Sequence, residues 1–74
     1  LKGKAKTVNE FCLEIGQRIK ALRKRRKLTQ EMVSNKLGIS QQMISRIESG
    51  GENISLLTLK RIVDELGAKI SIET

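Results

Sequence analysis

Four stretches of the chain space their apolar residues three or four apart, as an α-helix does, and each stretch follows a serine or threonine. Serine and threonine accept hydrogen bonds from the backbone of a helix's first turn, so they mark where helices begin. Glycine favours a helix end because it adopts positive φ without strain. The four predicted helices follow Thr7, Thr29, Ser40 and Ser55, and Gly38, Gly50 and Gly67 end the last three. The pattern predicts an all-α fold of four helices.

The apolar faces of these helices define the expected core. The first helix, which is expected to reach about Lys27, offers Val8, Phe11, Cys12, Ile15, Ile19 and Leu22; the second offers Met32, Val33 and Leu37; the third offers Ile44 and Ile47; and the fourth offers Leu56, Leu59, Ile62, Val63 and Leu66. A chain of 74 residues buries about 60% of its unfolded surface around one core. We therefore expect one helical domain over residues 8–66.

The C-terminal segment changes period. From Ala68 to Glu73 apolar and polar residues alternate, which is typical of a half-buried strand with Ala68, Ile70 and Ile72 on one side. No other segment predicts a strand, so its backbone needs a partner from another chain. We expect residues 67–74 to be a dimerisation strand that pairs across a homodimer, and residues 1–7 to be a flexible basic arm.

Charge is distributed unevenly along the chain. The net charge is +7, and residues 1–27 carry ten basic and two acidic side chains, whereas residues 28–74 carry five basic and six acidic ones. Such asymmetry favours a polyanionic partner, either nucleic acid or an acidic membrane surface. The basic side chains of the first helix are either its solvated face or phosphate contacts; they are Arg18, Lys20, Lys24, Arg25, Arg26 and Lys27.

Missing residue types exclude several classes of function. The chain has no histidine and a single cysteine, Cys12, so we expect no metal, no cofactor and no enzymatic activity. Cys12 lies on an apolar stripe and is expected to fill the core of a protein kept in a reducing cytoplasm. Phe11 is the single aromatic residue, which leaves no stacking platform for single-stranded nucleic acid. Double-stranded DNA is therefore the favoured polyanion.

Residues 29–50 have the pattern of a helix-turn-helix, in which two short helices are joined by a tight turn and the second enters the DNA major groove. The outward face of the second helix carries Gln41, Gln42, Ser45, Arg46 and Ser49. Glutamine matches the edge of adenine and arginine that of guanine, so this face has the chemistry of base reading. The alternative is an ordinary solvated surface.

Several short motifs between Ile15 and about Leu66 resemble the lambda-repressor-like, or Xre-type, helix-turn-helix regulators. They are Ile15-Gly16-Gln17-Arg18-Ile19, Leu22-Arg23, Leu28-Thr29-Gln30-Glu31, Leu37-Gly38-Ile39-Ser40, Ile44-Ser45-Arg46-Ile47-Glu48-Ser49-Gly50 and Ser55-Leu56-Leu57-Thr58-Leu59. The resemblance implies base reading by Gln41, Gln42 and Arg46. It also implies that Gln30 clasps a DNA phosphate at a helix N-terminus. Further implied phosphate contacts are Thr29, Ser45, Ser49 and Asn53. Met43 is expected to touch a thymine methyl group or to pack inward.

Glu48 follows Ile44 by four residues and therefore lies on the inner side of its helix, where an unpaired carboxylate is costly. Arg23 follows Ile19 by the same spacing on the first helix. The family that the chain resembles pairs an arginine with a glutamate at these positions. We therefore expect a structural ion pair between Arg23 and Glu48.

The chain departs from that family after Gly67, where a strand replaces the fifth helix that many members have. A short domain finished by one strand resembles the HipB-type antitoxins of bacterial toxin–antitoxin operons. The sequence thus predicts a homodimeric repressor that reads a palindromic DNA operator. The alternative is an interaction module that holds a toxin or another protein, with DNA binding secondary. A membrane-surface role for the first helix is disfavoured, because the core needs its apolar face.

Overall fold

The computed structural model describes residues 6–51 and 53–71. This part of the chain folds into four α-helices, which are α1 (Val8–Arg25), α2 (Gln30–Leu37), α3 (Gln41–Glu48) and α4 (Leu56–Glu65). The predicted all-α fold is confirmed. None of the helices in the described ranges is both long and apolar enough to cross a membrane.

Each helix begins at the serine or threonine that the sequence predicts. Thr7 forms a capping box, because its Oγ1 accepts from the Glu10 backbone N–H at 3.1 Å and its own N–H donates to the Glu10 carboxylate at 2.8 Å. That backbone hydrogen bond from Thr7 lowers the pKa of Glu10 below its usual value. The hydroxyl oxygens of Thr29, Ser40 and Ser55 accept from the backbone N–H three residues on.

Six apolar side chains form the buried core; five come from the four helices, and the sixth, Leu66, directly follows α4. They are Ile19, Val33, Ile44, Ile47, Ile62 and Leu66. Helix α3 packs against both α1 and α2, and α4 packs against α2. The core therefore lies on one side of α3 and leaves the opposite side of that helix to solvent.

Some of the predicted core positions are wrong, and most of them lie at helix ends. Val8, Phe11, Met32 and Leu56 are more than half exposed. Helical spacing identifies the residues that share a face, but it does not show how far a neighbouring helix extends along that face. Cys12 is half-buried, and α1 ends at Arg25, two residues before the predicted Lys27.

The predicted C-terminal strand is absent from the described residues. Residues 68–71, which include Ala68 and Ile70, have no regular secondary structure, and Ile72 lies outside the described residues. A strand is defined by hydrogen bonds to a second strand, and the described part of a single chain offers none. The predicted basic arm falls mostly on residues 1–5, which also lie outside the described residues.

Gly16 allows α1 and α3 to approach each other closely. A Cβ atom at this buried position would overlap the backbone carbonyl oxygen of Ile47 and would lie 2.7 Å from that of Glu48. Backbone atoms at the end of a packed helix cannot move aside as a flexible side chain can. A glycine at position 16 is therefore required by the helix crossing itself.

We expect Gly16→Ala to lower the free energy of unfolding by about 3 kcal/mol, because the added methyl group forces α1 away from α3. Urea denaturation followed by circular dichroism measures this change. Gly51→Ala is the matched control, because its Cβ would meet no atom closer than 3.7 Å. Equal effects of the two substitutions would contradict the close helix crossing.

Candidate nucleic-acid interface

Helix α3 has one buried and one exposed side. Ile44, Ile47 and Glu48 are buried against the rest of the domain. The exposed side carries Gln41, Gln42, Ser45 and Arg46, and Ser49 follows at the end of the helix. The structure thus places the predicted base-reading residues together on one solvent-facing surface. Met43 is half-buried against the core, so its packing role is the one that the structure favours.

The turn between α2 and α3 fixes the direction of α3. Gly38 has φ 70°, a left-handed conformation that suits glycine, and the backbone N–H of Ile39 donates to the Ser34 carbonyl at 3.1 Å. Ser34 is buried, and its hydroxyl donates to the Glu31 carbonyl at 2.9 Å. A small side chain at this position lets the two helices pack closely, as a helix-turn-helix requires.

Arg23 and Glu48, the pair expected from the sequence, meet in the interior between α1 and α3. The guanidinium donates from Nε to Glu48 Oε2 at 2.6 Å and from Nη2 to Glu48 Oε1 at 3.0 Å. Its third nitrogen, Nη1, donates to the Leu28 carbonyl at 2.8 Å. Such a bidentate pair is both strong and directional, so one arginine joins α1, the α1–α2 turn and α3.

Gln30, the first residue of α2, is held by the same carboxylate. Its Nε2 donates to Glu48 Oε1 at 3.0 Å. Sequence analysis missed this contact, because a separation of 18 residues between an amide and a carboxylate carries no periodic signal. A weaker indication of this contact was present in the sequence, because both residues lie at helix ends and the two helices belong to one motif.

Opposing effects act on the pKa of Glu48. Burial raises the pKa of this carboxyl, but the hydrogen bonds from Arg23 and Gln30 and the charges of Arg23 and Lys20 together outweigh burial. The pKa of Glu48 therefore lies below its ordinary value, and the carboxylate is charged at neutral pH. The hydrogen bond to Glu48 likewise raises the pKa of Arg23.

The other predicted phosphate contacts are exposed. Thr29 caps α2, and the hydroxyl of Ser49 donates to the Arg46 carbonyl at 3.0 Å. Ser45 lies beside Arg46 on the exposed side of α3, and Asn53 lies on the loop before α4. Thr29, Gln30 and Ser45 lie within the helix-turn-helix, whereas Asn53 borders an apolar groove that Phe11 and Leu56 also line. The roles of all five predicted residues, including Gln30 and Ser49, in phosphate binding stay predictions.

Apart from the buried Arg23, the basic residues on and next to α1 divide into two groups. Arg18 and Lys6 both pair with Glu14, at 3.1 and 3.0 Å, and the hydrogen bond from Lys6 is the main reason that the pKa of Glu14 is lowered. Lys20, Lys24, Arg25, Arg26 and Lys27 are solvent-exposed. This second group covers the C-terminal half of α1 and the turn that leads to α2. Its role in phosphate neutralisation stays a prediction.

Comparison with known proteins agrees with this geometry. The family model described as helix-turn-helix matches residues 19–72. The chain is 38% identical over 53 residues to the HTH-type transcriptional regulator y4dJ of Sinorhizobium fredii, covering 72% of this chain and 69% of that protein. The chain therefore belongs to the helix-turn-helix family of DNA-binding transcriptional regulators.

Two further relatives are a repressor and a controller protein. The chain is 42% identical over 59 residues to the immunity repressor protein of Bacillus phage phi105, which covers 80% of this chain and 41% of the repressor. The chain thus spans less than half the length of that repressor. The restriction-modification controller protein C.AhdI of Aeromonas hydrophila has a similar structure, with a TM-score of 0.77, 25% identity, and coverage of 81% of this chain and 91% of that one.

We expect Glu48→Ala to lower the free energy of unfolding by about 3 kcal/mol, because the substitution leaves the buried guanidinium of Arg23 without its counter-charge. Thermal denaturation measures the loss, and residual DNA binding is expected in the cold. Asp64→Ala is the control, since it removes an exposed ion pair with Lys60 and such pairs contribute about 0.5 kcal/mol. An unchanged melting temperature for Glu48→Ala would contradict the structural role of the pair.

The lowered pKa of Glu48 predicts acid sensitivity. A carboxyl whose pKa is lower in the folded state contributes full stability above its unfolded value, near 4.5, and loses that contribution as the pH falls through the folded pKa. The difference in unfolding free energy between wild type and Glu48→Gln is therefore expected to shrink from about pH 7 to about pH 3. Urea titrations across this range measure it, and a constant difference would contradict the account.

Proposed function

We propose that this protein is a sequence-specific repressor that binds double-stranded DNA through the exposed side of α3. The proposal rests on the two different sides of α3. Ile47 and Glu48 fix the buried side to the rest of the domain. The exposed side presents Gln41, Gln42 and Arg46. A recognition helix needs both properties, because base-edge contacts require a polar face held at a constant distance from the backbone contacts. The similarity to a phage immunity repressor supports the repressor role.

The proposed base readers differ in their chemistry. The two glutamine amides each donate and accept, which suits the N6 and N7 positions of adenine, whereas the guanidinium of Arg46 suits O6 and N7 of guanine. Gln41 and Gln42 lie at the first turn of α3, the part of a recognition helix that enters the groove most deeply. Arg46 follows one turn later, so it contacts a neighbouring base step.

A homodimer on a palindromic operator in the bacterial cytoplasm completes this proposal. Two recognition helices one helical turn of DNA apart, about 34 Å, read symmetric half-sites. The strand expected around Ala68, Ile70 and Ile72 needs a second chain, and dimer formation supplies one. Ile70 is exposed in the single chain, which is consistent with a surface that another chain covers.

A second candidate function is an interaction module that holds a partner protein, such as the toxin of an antitoxin pair. Exposed apolar residues on α1 and α4 favour it, since Phe11, Leu56 and Leu57 are each more than half exposed, and Phe11 and Leu56 line the same groove. Co-purification of a partner with the protein, in the absence of tight DNA binding, favours this second function over the first.

Selection from random duplex DNA at one fixed salt concentration tests the proposal. The wild type is expected to enrich a two-fold symmetric motif. Gln41→Ala, Gln42→Ala and Arg46→Ala are each expected to lose preference at particular bases, at a cost of about 1–3 kcal/mol per lost contact. Each affected base assigns one reader to one position of the operator.

Two exposed residues of α1 provide the controls. Gln17→Ala removes the same amide chemistry from an exposed position of α1 that is not among the proposed base readers, and it is expected to leave the motif unchanged. Arg25→Ala is expected to weaken binding to all sequences alike and to flatten the dependence of log affinity on log salt by about one unit. The absence of an enriched motif, with salt-sensitive binding alone, would contradict sequence-specific repression.

A further inference from the structure

The side chain of Gln30 forms a hydrogen bond with a carboxylate in the domain interior. Its amide nitrogen donates to Glu48 Oε1, and the same oxygen also accepts from Arg23 Nη2, each at 3.0 Å. Glu48 is only 5% exposed, whereas Gln30 is half-buried and lies at the surface end of α2. A buried carboxylate on α3 therefore holds a side chain at the N-terminus of α2.

This hydrogen bond fixes the orientation of the Gln30 amide. An ionised carboxylate only accepts hydrogen bonds, so the amide nitrogen must face Glu48 and the carbonyl oxygen must face away from it. One N–H of Gln30 is used by Glu48, and the second N–H points in a different direction. A glutamine without this anchor would sample several rotamers and would lose that freedom on binding.

Charge neutralisation makes the arrangement compatible with DNA. A carboxylate close to a phosphate group would repel it. Both oxygens of Glu48 accept hydrogen bonds from the guanidinium of Arg23, so the pair as a whole carries no net charge. The interior thus provides an acceptor for Gln30 without presenting a negative charge to the DNA backbone.

We propose that Glu48 is a positioning residue for DNA binding, which acts through Gln30 by orienting the remaining N–H of its amide toward a DNA phosphate. This inference rests on the proposed function, and it adds a role for Glu48 beyond the stability of the ion pair. It requires that the effect of Glu48 on DNA affinity depend on the presence of the Gln30 side chain.

A double-mutant cycle tests this dependence. The wild type, Gln30→Ala, Glu48→Gln and the double variant are compared for DNA affinity at a temperature where circular dichroism shows each to be folded. Gln30→Ala is expected to weaken binding about tenfold, as loss of a hydrogen bond to a charged group does. Glu48→Gln is expected to weaken binding about fivefold when Gln30 is present and less than about twofold in the Gln30→Ala background.

Whether Glu48→Gln weakens or strengthens DNA binding distinguishes a positioning role of Glu48 from an effect of its negative charge alone. Removing a negative charge from a DNA-binding protein strengthens binding when the charge is all that matters. Glu31→Gln is the matched control, because it removes one exposed carboxylate from the same first turn of α2. We expect Glu31→Gln to bind equally or more tightly in both backgrounds, whereas Glu48→Gln binds more weakly in the presence of Gln30.

The probes are the duplex recovered by selection and a mixed-sequence duplex of about 30 base pairs at low salt, because phosphate contacts do not require the operator. Equal fold changes for Glu48→Gln in both backgrounds would overturn this inference while leaving the proposed function intact. Tighter binding by Glu48→Gln would also overturn it. A wild type that binds neither duplex would contradict the proposed function itself, and this inference with it.

If Glu48→Gln does not fold, a measurement on the wild type tests whether Glu48 positions the Gln30 amide. The side-chain amide protons of Gln30 are followed by nuclear magnetic resonance during titration with either duplex. We expect one of these protons to be protected from solvent exchange in the unbound protein and to remain protected in the complex. Loss of that protection on DNA binding would show that Glu48 releases Gln30, and it would overturn the inference.

Discussion

The buried bidentate ion pair between Arg23 and Glu48 holds the short helices of this domain in place. Helices α2 and α3 are eight residues each, too short to be stable without tertiary contacts. The pair ties the last residue of α3 to α1, and Arg23 also holds the α1–α2 turn through the Leu28 carbonyl. Burying two charges is costly, but in the described part of the chain no buried side-chain nitrogen or oxygen lacks a partner. A shift of α3 along α1 would separate the charges, so the pair selects one register.

Gly16 and Arg23 act at the same helix crossing, since they lie two turns apart on the side of α1 that faces α3. The glycine allows the backbones to touch at Ile47 and Glu48, and the arginine then fixes the contact chemically. Buried groups of α1 therefore fix the position of the exposed side of α3. This arrangement explains how a small helical domain presents a polar face at a constant position.

Features with a local physical cause could be predicted from the sequence. Capping depends on one hydroxyl and the next turn of backbone, so Thr7, Thr29, Ser40 and Ser55 identified every helix start in the described ranges.

Contacts between distant residues could not be predicted in this way. Phe11 is exposed because no other element of the described chain covers that part of α1, and the Gln30 contact depends on how α2 and α3 pack. Lys27 adopts φ 59°, a conformation for which its side chain gives no sequence signal. The C-terminal strand was predicted from alternation alone, which does not supply the partner that a strand needs.

We propose that the domain interior holds the exposed side of α3 and the start of α2 as one DNA-binding surface. Backbone amide chemical shifts, recorded while a selected duplex is titrated into the labelled protein, show which residues contact DNA. The largest changes are expected at Gln41, Gln42 and Arg46, with a second group at Thr29 and Gln30. Changes concentrated instead on the apolar groove around Phe11 and Leu56, with α3 unaffected, would contradict it.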